Sequence, residues 1–164
     1  MKRVDVIVIV ISSVFAIRAA QSQSITQSVN VTVGAVYKIS TSGNPVPLTI
    51  TTGTAGLDAL TSVFDNSTTY SITQNFGNTV KITAGLDAIL PTGFTLTILL
   101  GSTKGTSAGT VDISNAIAGS APSVVTGINI GADANQGITY TFSALASVGT
   151  LTPTTRTVTL TLTN

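Results

Sequence analysis

Histidine, cysteine, tryptophan and glutamate are all missing from these 164 residues. Each absence excludes a chemistry. Without histidine, cysteine and glutamate, the commonest general acids and bases and most transition-metal ligands are gone together. Only dispersed aspartates, lysines, serines and tyrosines remain to carry any catalysis. Without cysteine, an exported domain has to be held by packing and ladder hydrogen bonds instead of cross-links. Charge is scarce as well. Charged residues make up 8% of the chain, against about a quarter in ordinary soluble domains, and the formal net charge is +1. This is no basic footprint for nucleic acid. A surface so poor in charge is one suited to meeting another surface. The chain is therefore expected to be no enzyme and to take no cofactor or metal.

What is present is a strand-and-turn alphabet. Threonine alone supplies 30 residues, with valine, isoleucine, glycine and serine behind it and few good helix formers beyond scattered alanine and leucine. The expected fold class is all-β, and the length suits one domain with a real core.

Residues 1–22 have the layout of a secretory signal: Lys2 and Arg3, an apolar stretch from Val6 to Ile17, then Ala19, Ala20 and Ser22, with a cut expected before Gln23. The apolar stretch, about 12 residues, is too short to span a bilayer, so no stable membrane span is expected once the signal is removed. Asp5 and the Val–Ile alternation depart from the usual signal pattern. The alternative is a retained β-strand that something must cover. Export places the protein outside the cell or on its surface. Beyond the cut, Lys38, Lys81, Lys104 and Arg156 stand against Asp58, Asp65, Asp87, Asp112 and Asp133, so the remaining chain is almost uncharged.

The stretch around which the chain is organised runs from Ile25 to Ser40. Val29, Val31, Val33, Ala35, Tyr37 and Ile39 alternate with mostly polar or small residues, Ile25 keeps the same parity, and only Gln27 interrupts it. That is a β period of two. Fully extended, such a run reaches roughly 50 Å, whereas ordinary strands have about 3 to 10 residues. Either it bends at Gly34 and serves two sheets, or its first half, within residues 23–34, pairs with a neighbouring copy and leaves 35–164 as the sandwich domain.

Further strands are expected at Leu48–Thr51, Thr68–Thr73, Thr79–Thr83, Phe94–Leu100, Thr110–Ser114, Val124–Ile130, Ile138–Ala144 and Arg156–Thr163, with Phe94–Leu100 central because it is the most apolar. Turns are expected at Asn44–Pro47, Asp65–Ser67, Asn75–Asn78 and Gly131–Gly137, loops at Gly101–Gly109 and Asn115–Pro122, and either a long loop or a single helical turn at Gly53–Phe64. The segment Ala84–Ile89 echoes Ala55–Leu60 and could mark two equivalent connections. Eight to ten mainly antiparallel strands in this order predict a single Ig-like or jelly-roll-like β-sandwich. Alternation assigns Val80, Ile82, Phe94, Leu96, Ile98, Tyr140, Phe142, Val158 and Leu160 to its core.

Three short patterns have a functional and a plain reading. Asn30-Val31-Thr32 and Asn66-Ser67-Thr68 match the N-glycosylation acceptor, with Asn66, in a turn, the better placed. Asp133-Ala134-Asn135-Gln136-Gly137 has the look of a calcium loop but lacks the closing glutamate, and turn chemistry explains it better. Tyr37, Tyr70, Phe94 and Phe142 share the parity of core residues, so packing explains them better than a sugar-binding platform does.

An exported, Thr-rich, nearly uncharged all-β chain with an overlong alternating N-terminal segment resembles subunits of prokaryotic surface filaments assembled by donor-strand exchange. The residues carrying the resemblance are Ile25–Val33, as candidate donor, and Arg156–Thr163, as a terminal strand bordering an acceptor groove. Lacking a cysteine pair, the chain is nearer to cysteine-free archaeal and bacterial fibre or matrix proteins than to chaperone–usher pilins. The resemblance implies a homopolymer in which Ile25, Val29, Val31 and Val33 enter the next copy and Gly34 is the hinge. The alternative is a monomeric secreted binding module, coat or matrix protein that presents loops such as Gly101–Gly109.

Overall fold

Fourteen residues, Gly131–Ala144, form the longest strand, β8, and the larger of two sheets is built on both of its edges. In the computed structural model, residues 22–164 are described. The sequence boundary proposed before Gln23 and the apolar stretch Val6–Ile17 lie at or outside the start of this range. The described chain parts between Val33 and Gly34 into a tail and a compact unit, Gly34–Asn164. Strands follow at β1 (Tyr37–Thr41), β2 (Val63–Gln74), β3 (Val80–Leu86), β4 (Phe94–Leu100), β5 (Thr106–Ser107), β6 (Val111–Asp112), β7 (Ser123–Ile128), β8 and β9 (Val158–Thr163), with one 3-10 turn at Ala146–Val148. Two antiparallel sheets result, ordered β1-β2-β8-β4-β6 and β5-β7-β3-β9. The fold is an all-β sandwich. Among the described residues no helix is long and apolar enough to cross a membrane.

Register follows hydrophobic parity. In the first sheet Leu96 opposes Phe142, Ile98 opposes Tyr140 and Leu100 opposes Ile138. In the second, Ile82, Ala84 and Leu86 oppose Leu162, Leu160 and Val158. The even positions of β4 and β8 and of β3 and β9 thus point into one layer, where a one-residue slip would turn every apolar side chain outward. Tyr70, Ile82, Ile98, Leu100, Ile128 and Ile138 are fully buried there, each stabilising the fold by about 1.5–3 kcal/mol.

Several expectations need correction. Gly131–Gly137 is not a turn but the first half of β8, and Asp65–Ser67 is a bulge inside β2. Both are rich in turn-forming residues, and both are kept in the ladder by side-chain hydrogen bonds, local in the first and long-range in the second. Asp65 Oδ2 accepts from Ser67 N and Oγ at 3.4 and 3.0 Å. Asn135 takes a positive φ of 55° while its N–H donates to Ser71 Oγ. Asn66, expected in a turn, is therefore an exposed bulge residue.

The two echoed segments are not equivalent, since Ala84–Leu86 lies in β3 and Ala55–Leu60 in a loop. Leu48–Thr51 is no strand. The loop 101–109 contains the short β5; β4 is an interior strand as expected, paired with β8 and β6, and β8 is the middle strand of the sheet. Finally, Val80, Ile82, Phe94, Leu96, Ile98 and Tyr140 are buried as expected, but Phe142, Val158 and Leu160 are only partly so. Their parity is right, with Thr157 and Thr159 exposed beside them. What they lack is a cover.

Candidate assembly groove

Those three half-covered residues line a single groove of about 1040 Å³ in the compact unit. Its floor is the inner face of β4 and β8, with Leu96, Ile138 and Tyr140 beside the stacked rings of Phe94 and Phe142, 6.3 Å between centroids and 8° from parallel. One wall is β1 followed by Asn44–Ile50. The other is Gly149–Thr157 leading into Val158 and Leu160 of β9. Burial within this apolar setting raises the Tyr140 phenol above its ordinary pKa.

The walls have a property that ordinary loops do not combine. Leu48, Ile50 and Leu151 turn inward and pack on the core, as strand residues would. Yet among the described residues the main chain of 44–51 and of 150–156 makes no backbone–backbone hydrogen bond. Pro45, Pro47 and Pro153 have no N–H to offer a ladder. β1 and β9 are themselves the ends of their sheets, each with one edge unpaired. Apolar floor and free strand edges together form a template for an added strand.

The floor is apolar and the rim is rich in threonine, including Thr49, Thr152 and Thr154. Thr68 Oγ1 and Arg156 Nε are the buried side-chain atoms without a hydrogen-bond partner among the described residues, and both residues line this groove. The terminal nitrogens of Arg156 are satisfied by neutral oxygens, Nη1 donating to Thr154 Oγ1 at 2.8 Å and to the Thr155 carbonyl at 3.1 Å, and Nη2 to the Ile89 carbonyl at 3.5 Å.

The five aspartates of the compact unit are spread over the molecule as backbone pins. Asp58 accepts from Ser147 N and Oγ, both at 2.8 Å. Asp87 Oδ1 takes Ala88 N and Thr157 N, which fixes the chain where it enters β9. Asp112 Oδ1 takes the Ser114 amide at 2.8 Å and its hydroxyl. Asp133, on β8, is buried and accepts from Ser102 Oγ, Thr103 N, Thr103 Oγ1 and Lys104 N at 2.7–3.1 Å. Burial alone would raise the Asp133 pKa. The bonds from Thr103, Ser102 and Lys104 outweigh it and hold the carboxyl below its ordinary value. Among the described residues no group of three or more histidine, cysteine, aspartate or glutamate side chains is placed to hold a metal.

The residues predicted as the donor lie in the tail. Ile25, Val29, Val31 and Val33 are 91, 78, 85 and 85% exposed, and 22–36 carries no helix or strand. Asn30 is exposed beside them. Gly34 begins the compact unit without a left-handed φ and with open space where a Cβ would stand, so its own backbone does not demand glycine. The chain is held at this point by Asn75, whose Nδ2 donates to the Gly34 carbonyl at 2.9 Å and whose Oδ1 accepts from Val36 N at 2.6 Å.

Sequence reasoning named Arg156–Thr163 as the border of a groove, and Arg156, Val158 and Leu160 do line one, but it missed the walls 44–50 and 149–155 and the part played by Thr68. The prolines flanking Leu48 were their one visible signal. The chain matches no protein-family model, no curated protein and no solved structure.

Proposed function

We propose that this protein is the structural subunit of an extracellular filament, in which residues 25–33 of one copy fill the groove of the next. The observation that carries the reading is the pairing of complementary features in one chain: an uncovered groove with an apolar floor and unpaired main chain on both walls, and an exposed tail of alternating β-branched residues. Ile25, Val29, Val31 and Val33 would each contribute about 1.5–3 kcal/mol on burial. Fixing a nine-residue tail costs roughly 1–2 kcal/mol per residue, so the tail's own side chains are not enough. The remainder comes from covering Phe142, Val158 and Leu160 and from the ladder gained along β9 or the 44–50 wall. A joint of this kind needs no disulfide and no cofactor. Residues 1–22 act as the export signal, which delays polymerisation until the chain is outside the cell, and the aspartates pin the backbone and perform no chemistry.

Electron microscopy and size-exclusion chromatography of the chain from Gln23 onward test this. Filaments are expected from the intact tail. A soluble monomer is expected when residues up to Thr32 are removed or when Val29 and Val31 are both changed to Asp. Filaments from the truncated chain would overturn the proposal.

A further inference from the structure

A chain that carries both a groove and the strand meant for it competes with its own assembly. A tail tethered to its own domain is present at an effective concentration on the order of millimolar, far above that of other copies at about 10 µM protein. Left free to turn back, it would fill its own groove and end as a monomer. We infer that Asn75 prevents this: its side chain holds Gly34–Val36, where the tail would have to reverse, so that the groove of one copy receives the tail of another. The inference rests on the filament reading above and deepens it, by naming what decides which copy fills the groove.

The hold consists of three bonds within the compact unit. Asn75 Nδ2 donates to the Gly34 carbonyl at 2.9 Å, Asn75 Oδ1 accepts from Val36 N at 2.6 Å, and Asn75 N donates to the Val36 carbonyl at 3.2 Å. They continue the line of β1 backward, past the pair of Tyr37 with Gln74. Asn75 is itself fixed by its neighbours. Gln74 is buried, donates from Nε2 to the Ile128 carbonyl at 3.2 Å and accepts from Phe76 N at 2.8 Å. The Phe76 ring lies 5.2 Å from that of Tyr37.

What the hold forbids follows from counting along the chain. The outer edge of β1 is unpaired, and a tail folding back along it would make an antiparallel hairpin. The groove takes in Ile39, Ser40 and Thr41 of β1 but not Tyr37 or Lys38. A two-residue loop would set the valines opposite Lys38 and Ser40, on the outer face; for them to share the inward parity of Tyr37 and Ile39 the loop must have three residues. Centred on Ala35, such a loop sets Val33 opposite Tyr37, Val31 opposite Ile39 and Val29 opposite Thr41. It requires Gly34–Val36 to leave Asn75, and Gly34, the one glycine of this stretch, has no left-handed φ. The first three-residue loop clear of the held stretch is 31–33, and it brings only Ile25 as far as Ile39. Insertion into another copy needs no reversal. Such a contact is heterologous, and one that does not close into a ring grows into a fibre.

Because the chain has no cysteine, one introduced pair reports the hairpin. In the chain from Gln23 onward, Val31→Cys with Ile39→Cys is expected to give no disulfide within a single copy while Asn75 is present. Adding Asn75→Ala should make that intrachain disulfide the main oxidised product, read by mass spectrometry of the monomer band on a non-reducing gel. In the cysteine-free chain, Asn75→Ala should lower the filament mass sedimented at about 10 µM roughly tenfold or more, the remainder being a folded monomer by size-exclusion chromatography and circular dichroism. Asn75→Asp keeps an acceptor for Val36 N and loses the donor to Gly34; it should act in the same direction by less, and it carries the test should Asn75→Ala fail to fold. Undiminished filaments from both variants, a folded monomer without the intrachain disulfide, or that disulfide forming with Asn75 intact would each overturn the role of Asn75 and leave the filament reading standing. Absence of filaments from the unmodified chain overturns both.

Discussion

Replacing Asp133 by asparagine should cost the sandwich about 2–4 kcal/mol at neutral pH, although the side chain keeps its size. The carboxylate gathers four donors from three successive residues, Ser102, Thr103 and Lys104, and so ties the chain after β4 onto β8. Asparagine offers one oxygen in place of two and turns an NH₂ toward amides that also donate. At least two donors then lose a charge-assisted bond, each worth about 1.5–3 kcal/mol, and relief of the buried charge returns part of this. Urea unfolding followed by circular dichroism measures it. With a slope of about 1–3 kcal/mol per molar urea, the midpoint should fall by roughly 1–2 M at unchanged slope.

The pH dependence gives a second reading of the same bonds. Because the folded-state pKa lies below its ordinary value of 3.8, the unfolded chain takes up the proton first. The stabilisation is complete above that value and is lost as pH falls through the lower folded one. Wild type and Asp133→Asn should therefore begin to converge in stability as pH falls below about 4 and meet only below the lowered folded value. A midpoint within 0.3 M of wild type at pH 7, or a gap that does not close in acid, would refute the assignment of Asp133 as the pin of this loop, since about 0.5 kcal/mol is the most an exposed polar change is expected to do.

Tyr70 donates its hydroxyl proton to the Gly101 carbonyl, and burial, aided by the charge of Asp133 and opposed by Ser102, pushes its pKa up to about 12. Its contribution is complete below the ordinary value of 10.0 and is lost as pH rises toward 12, so absorbance at 295 nm should show tyrosinate forming late, and Tyr70→Phe should remove the latest step and cost about 1 kcal/mol. Ile98→Ala, at a fully buried position, should cost about 2–5 kcal/mol in thermal or urea unfolding of the monomer, whereas Phe142→Ala should cost less there and weaken filament formation more. Gly93→Ala should destabilise by about 1–3 kcal/mol, because φ is 88° and the new Cβ would stand 2.2 Å from Val148 Cγ1; equal stability in differential scanning calorimetry would refute the clash.

Much of the sandwich was legible because a half-buried strand writes its own parity. Phe94–Leu100 is a strand of the expected bounds, and Val158, Leu160 and Leu162 face inward with threonines between them. The failures occurred where a residue's local preference is overruled by a bond from far away. Asp133 and Asn135 belong to a turn by composition, yet partners some 30 and 64 positions distant, Thr103 and Ser71, hold them in β8. The groove was illegible for a different reason. Alternation says which way Phe142 points but not whether anything stands opposite it. Leu48-Thr49-Ile50 has the alternation of a strand and lacks only a partner, which no local pattern encodes.

That missing partner bears on how the groove stays usable. An apolar trough bounded by free strand edges invites any passing chain, and proteins that keep such edges guard them. Here the guards are prolines: Pro45 and Pro47 in one wall and Pro153 in the other. Each removes a donor, so the segments 44–51 and 150–156 present no unbroken row of N–H groups. β9 is different. From Val158 to Thr163 it contains no proline and is straight in register with β3 over its whole length, and β1 is likewise free of proline and in register with β2, so both outer edges are continuous. A strand entering the groove therefore meets proline-free edges at β1 and β9 and interrupted main chain at 44–51 and 150–156.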